Sequence, residues 1–116
     1  MRVLICGGRD YDDYDTFKTC LSAKQVAVPF TVIIHGAATG ADTMADKYAK
    51  NHNIAALSFP VSKADWKKYG KSAGPRRNRQ MLRDGKPDLI MAFPGGSGTA
   101  DMVKQARKAG VPVWQF

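Results

Sequence analysis

The chain has 116 residues, 44% of them hydrophobic, and a formal net charge of +8. That length gives a single domain, residues 1–116, with enough apolar content for a core that needs neither metal nor disulfide support. The opening MRVLICGGRD holds an apolar run of only four residues, too short for a signal peptide or a membrane span, so no membrane partner is expected. Cys6 and Cys20 form no CxxC and no metal-ligand spacing. They read as small hydrophobes in a reducing cytoplasm, and no metal is expected.

The charge is unevenly placed. Residues 1–60 carry 6 Lys+Arg and 6 Asp, whereas residues 61–116 carry 12 Lys+Arg against 4 Asp. Eight of those cations fall between Lys63 and Arg83. Such a field draws anions, nucleotide or nucleic acid, although a solvated surface accounts equally for most single lysines. All ten acidic residues are aspartate; there is no glutamate.

RVLICG (2–7) is a buried strand ended by Gly-Gly. Asp15 can cap a helix whose apolar positions Phe17 and Leu21 lie four apart. FTVIIHG (30–36) is a second strand, and Asp42 can cap a helix with Met44, Ala45, Tyr48 and Ala49 on one face. IAALSFP (54–60) is a third strand, followed by a long polar loop over 61–74. Pro75 suits the first turn of a helix that ends at Gly85. DLIMAFP (88–94) is a fourth strand, Thr99 opens a helix with Met102, Val103 and Ala106 inward, and VPVWQF is the last strand. Five unalternating strands joined by four crossover helices predict an α/β fold, an open parallel sheet with helices on both faces.

Each polar or glycine motif follows a strand: GGRD, HGAATGAD, the basic loop and PGGSGT. In open α/β sheets these segments converge at the carboxyl ends of the strands, where ligands bind. In PGGSGT, Pro94 stops the strand, Gly95, Gly96 and Gly98 permit close approach, and Ser97 and Thr99 offer hydroxyls before a helix N-terminus. A plain glycine-rich strand-to-helix turn would read the same way, but three glycines in four positions at a strand's carboxyl end favour an anion site, phosphate being the common tenant. It is neither GxGxxG nor a Walker A loop, and no cofactor is expected. In HGAATGAD, Gly36, Ala37 and Gly40 repeat the plan. Asp42 reads as an N-cap, a hydroxyl-binding group, or both, and His35 as a packing residue rather than a base. In GPRRNRQML, Arg77 and Asn78 share the helix face of Met81 and Leu82 at the end nearest the crevice. A guanidinium there matches phosphate, and the amide matches a sugar hydroxyl or braces a loop. Arg76 and Arg79 point elsewhere. Trp66 and Tyr69, interleaved with lysines, either fold onto their own loop or stack on bases.

GGRD, HGAATGAD, ADWKKYGKSAGPRRNRQML, KPDLIMAFPGGSGTADM and GVPVWQF occur in the order of a known family. Essentially end to end, the chain resembles the YspA, or cpYpsA-related, group of the SLOG superfamily. The resemblance implies a Rossmann-like domain that binds a nucleotide or a nucleotide-derived ligand of the AMP, ADP-ribose or NAD type, as sensor or processor. It also implies a homodimer. The related LOG phosphoribohydrolases pair an arginine in R-K-x-x-M with a glutamate in P-G-G-x-G-T-x-x-E. Here Arg77 matches, Asn78 replaces the lysine, and Met102 occupies the glutamate position. DprA proteins, which bind single-stranded DNA, share the G-x-A-x-G-x-D turn, with Thr39 here in place of the usual arginine.

Three functions follow, in order of expectation. The first is a nucleotide-binding module holding phosphate on Gly95–Thr99 and Arg77, with Gly7, Gly8, Arg9, Asp10 and the HGAATGAD turn lining the rest. The second is an N-glycosidic hydrolase using Asp101, Asp42 or Asp10 as acid–base group beside Arg77. The third is a single-stranded nucleic-acid binder working through Lys63–Arg83.

Overall fold

The computed structural model describes residues 1–116. Five strands form one sheet: β1 (Arg2–Cys6), β2 (Val32–His35), β3 (Ala55–Ser58), β4 (Leu89–Ala92) and β5 (Val113–Gln115). Their order is β3-β2-β1-β4-β5 and every pairing is parallel. This is the expected Rossmann-like open parallel sheet.

Alternate residues of the central strands feed two cores, as the pleat requires. Val3, Ile5, Ile33, Leu89 and Met91 pack under Phe17 and Leu21 of α1 (Tyr14–Ala27) and under Ala45 and Tyr48 of α2 (Ala41–Asn51). Leu4, Cys6, Ile34, Ile90 and Ala92 face Met81 of α4 (Ala73–Gly85) and Met102, Val103 and Ala106 of α5 (Ser97–Lys108). The strands read as continuous apolar runs because both faces are covered.

Several boundaries differ from expectation, each for a local reason. Asp13, not Asp15, caps α1: its carboxylate accepts from the Thr16 N–H at 3.1 Å and the Thr16 hydroxyl at 2.7 Å. Gly40, with φ of +72°, takes the cap position of α2, so Asp42 sits inside the first turn. Gly96 caps α5, which therefore begins at Ser97, two residues before Thr99. α4 starts at Ala73, which puts Pro75 third, still among the positions whose N–H has no intrahelical partner.

The main correction concerns residues 61–74. They are not a loop: α3 (Lys63–Tyr69) and a 3-10 turn (Gly70–Ser72) occupy them, making five helices where four were expected. The Ser62 hydroxyl accepts from the Asp65 N–H at 3.0 Å to start α3, and Gly70, at φ of +53°, stops it. No residue of α3 is buried. It packs against the 3-10 turn and α4 and stands above the crevice without a substantial contact to the sheet.

Candidate functional site

The strand order reverses at β1, which has β2 on one side and β4 on the other. Loops leaving β1 and β4 therefore diverge to opposite faces, and a crevice opens between them. Its volume is about 970 Å³. From β1 come Gly7, Gly8, Arg9 and Asp10, and from β4 come Pro94, Gly95, Gly96, Ser97, Gly98 and Thr99. Arg77 and Asn78 enter from α4, Asp42 from α2, and Trp66 and Lys71 from above.

The two glycine motifs build this mouth by touching one another. The Gly8 N–H donates to the Pro94 carbonyl at 2.8 Å. A Cβ on Gly8 would stand 2.9 Å from that oxygen, and one on Gly95 would stand 2.6 Å from the Gly8 nitrogen. Such distances leave no room for a side chain at either position unless the facing backbone moves. Gly96 and Gly98 are the opposite case: a Cβ there would meet nothing within 4 Å. They keep the crevice open rather than the backbone close.

Beyond Gly96, the Ala100 N–H makes a turn bond back to the Gly96 carbonyl at 3.1 Å. The N–H groups of Ser97, Gly98 and Thr99 precede that bond, and no side chain caps them. They lie in the segment lining the crevice, at the positive end of a twelve-residue helix.

Arg77 is half-buried and already engaged. Its Nη1 donates to the Gly36 carbonyl and, at 3.4 Å, to the Phe59 carbonyl; its Nε donates to Asn78 Oδ1 at 3.3 Å. The side chain thus ties together the carboxyl ends of β2 and β3, leaving Nη2 for anything in the crevice. Gly36 is buried beneath it, because a Cβ there would come within 2.6 Å of the guanidinium carbon. Gly36 therefore does not line the crevice, its carbonyl supporting Arg77 instead, and Ala37, exposed at φ of +57°, also lies outside the lining. Gly40 also lies behind the lining, pressed against the Arg9 carbonyl.

Asp42 is 7% exposed and accepts from the Ala38 N–H at 3.2 Å. Burial pushes its carboxyl above the usual range, opposed by that hydrogen bond and by the Arg77 charge. Burial likewise lowers Arg77, with Asp42 opposing, yet a guanidinium stays charged. Beside them Cys6 is pushed up to about 12 by burial and by the Asp42 charge, so its thiol is neutral and unreactive.

The other catalytic candidate lies elsewhere. Asp101 is outside the crevice, in a neighbouring groove between α4 and α5. Its Oδ2 accepts from Asn78 Nδ2 at 3.0 Å and from Gln105 Nε2 at 2.8 Å. Asn78, 4% exposed, also donates to the Gly98 carbonyl at 3.2 Å, so it braces the glycine loop. Met102, 1% exposed, belongs to the core beneath. His35 accepts from the Ala37 N–H at Nδ1, leaving the Nε2 hydrogen for Asp46 at 3.2 Å. With both nitrogens occupied it is the packing histidine expected.

Sequence reasoning missed Tyr11, Asp12 and Lys71 as lining residues. Tyr11 and Asp12 directly follow GGRD, which was a usable signal; Lys71 looked like any other lysine of the basic segment. Tyr69 turns away from the crevice and stacks on Arg76, whose guanidinium carbon is 4.0 Å from the ring centroid. The basic excess also lies largely outside. Within the crevice Arg9, Lys71 and Arg77 meet Asp10, Asp12 and Asp42, whereas Arg79, Arg83, Lys104 and Lys108 line the α4–α5 groove of about 610 Å³. No helix is long and apolar enough to cross a membrane.

The fold is similar to that of DNA processing protein A (DprA) from Streptococcus pneumoniae. The TM-score is 0.75 at 18% identity, covering 98% of this chain and 49% of that one. This chain thus spans about half the length of that protein. Over 120 aligned residues it is 38% identical to the Gene 61 protein of Mycobacterium phage D29, covering 99% of this chain and 95% of that protein. Residues 1–69 match the model of the YspA, cpYpsA-related SLOG family. That match spans more than half of the chain, and the chain belongs to the YspA, cpYpsA-related SLOG family.

Proposed function

We propose that this protein binds a nucleotide or nucleotide-derived ligand in the crevice, with a phosphate on the α5 N-terminus. One observation carries the reading: the three uncapped N–H groups belong to residues lining a crevice whose Gly96 and Gly98 present no side chain. Backbone donors at a helix N-terminus suit phosphate. Arg77 Nη2 adds a second, charged donor from the floor. Three cations against three carboxylates fit a ligand with few phosphates and several hydroxyls better than a long polyanion.

Binding without turnover is the form the residues support. The hydrolase reading needs an acid–base carboxylate at the reacting bond, and Met102 in the core supplies none. Asp101 is held outside the crevice by two amides, Asp42 is buried against Arg77, and Asp10 lines the crevice exposed, with no hydrogen bond to orient it. A second reading, single-stranded nucleic acid, is favoured by one feature: Pro75 borders both the crevice and the cationic α4–α5 groove. A strand leaving the crevice would meet Arg79, Lys104 and Lys108 next.

Thermal melts against AMP, ADP-ribose, NAD and a short DNA oligonucleotide test both. A ligand at a hundred times its dissociation constant adds about 2.7 kcal/mol, or roughly 10 °C for a domain of this size. A shift with a nucleotide, abolished by Gly96→Val, is the expected result. A shift with the oligonucleotide alone, falling steeply with salt, would replace the first reading by the second. No shift with any of them would remove both.

A further inference from the structure

The crevice has one aromatic wall that the phosphate site does not use. Trp66 is 40% exposed although it lines a cavity, and it is carried by a helix that buries nothing. The group over its ring is the Arg9 guanidinium, 5.7 Å from the ring centroid, reaching across from the β1 loop. An indole is costly to leave wet, and this one belongs to neither core. The chain's other tryptophan, Trp114, is at the far sheet edge beneath Lys24.

We infer that Trp66 and Arg9 form a base-stacking slot, so that the ligand is a nucleotide retaining its base rather than a sugar phosphate. The inference rests on the phosphate reading above and specifies the other end of the ligand. A flat ring between two stacking partners needs about 7 Å, twice a contact distance of roughly 3.5 Å. The present separation falls short by about 1 Å, within reach of one rotamer adjustment in the exposed Arg9. Indole and guanidinium are both planes on which bases stack with little regard to base identity. Selectivity among bases is therefore expected to be weak, and preference for a base over none strong. The crevice, at about 970 Å³, holds both ends of such a ligand.

The test uses Trp114→Phe protein, in which Trp66 is the sole indole, titrated with AMP and with ribose 5-phosphate. The slot predicts a change in Trp66 emission with AMP and little with ribose 5-phosphate. In calorimetry, Trp66→Ala should weaken AMP by about 5- to 150-fold while leaving ribose 5-phosphate unchanged, and Trp66→Phe should restore most of the loss. If Trp66→Ala weakens both ligands alike, or AMP saturates without altering Trp66 emission, the slot is refuted and the phosphate reading stands. If the parent protein binds neither ligand, both inferences fall.

Discussion

The two glycines at adjacent positions 95 and 96 should respond unequally to one added methyl group. At Gly95 a Cβ would stand 2.6 Å from the Gly8 nitrogen and 3.0 Å from the Gly7 carbonyl carbon. Both neighbours are backbone at the end of β1, so relief requires the β1 and β4 loops to separate. Overpacking of this kind costs about 1–3 kcal/mol. For 116 residues the unfolding entropy is roughly 0.24 kcal/mol/K, so each kcal/mol lowers the melting temperature by about 4 °C. Gly95→Ala should therefore melt about 4–12 °C below the parent. At Gly96 the same Cβ meets nothing within 4 Å, and the only loss is a favourable cap residue, worth up to about 1 kcal/mol or 4 °C. Paired melts by circular dichroism give the answer. Equal melting temperatures for the two variants would refute the claim that close backbone contact between the two glycine loops builds the site.

Other consequences follow from the same geometry. Arg77→Ala, which orphans the Gly36 and Phe59 carbonyls and removes the partner of buried Asp42, should lower ligand-free stability in urea by about 1–3 kcal/mol. An unchanged midpoint would mean that Arg77 is held for a ligand alone. Met102→Glu, which restores the hydrolase-type carboxylate, should lower the melting temperature by more than about 10 °C and release no base, because the side chain is buried among Met81, Val103 and Ala106. Base release by a folded variant would reopen the catalytic reading. Asp13 has a lowered pKa through its bonds to Thr16, so its stabilisation is fully present above the unfolded value of 3.8 and is lost as pH falls through the native one. The melting gap between parent and Asp13→Ala should close across that window; a gap independent of pH would disprove the capping account.

Much of this architecture was legible because strands buried on both faces leave an unmistakable apolar record. RVLICG, FTVIIHG and DLIMAFP became β1, β2 and β4, and GGRD and PGGSGT met at one crevice, to which HGAATGAD lends only Ala38 and Asp42. Helix starts were harder. Asp15 and Asp42 have the right chemistry for caps, but Asp13 and Gly40 have the right backbone, and sequence alone does not rank such neighbours. α3 was hidden by its polarity, since no residue of it is buried and it carries no apolar stripe. Yet Ser62 followed by Asp65 was a readable start signal, as was Gly70 at the end.

What the sequence withheld was placement across the fold. Asp101 and Thr99 are two residues apart, yet a helix turns them to different sides, one toward the crevice and the other toward Asn78 and Gln105. Arg77 looked like a free phosphate clamp; the structure spends Nη1 on the ends of β2 and β3 and Nε on Asn78, leaving only Nη2. Trp66 and Arg9 are 57 positions apart, and only the return of α3 over the β1 loop brings the guanidinium over the indole.

The central claim is that a phosphate sits on the uncapped start of α5, and a calorimetric titration of AMP into parent and Gly96→Val protein tests it most directly. The account predicts saturable binding to the parent and none to the variant, with the variant still folded and melting within about 4 °C of the parent. Equal AMP affinity in both proteins would contradict it.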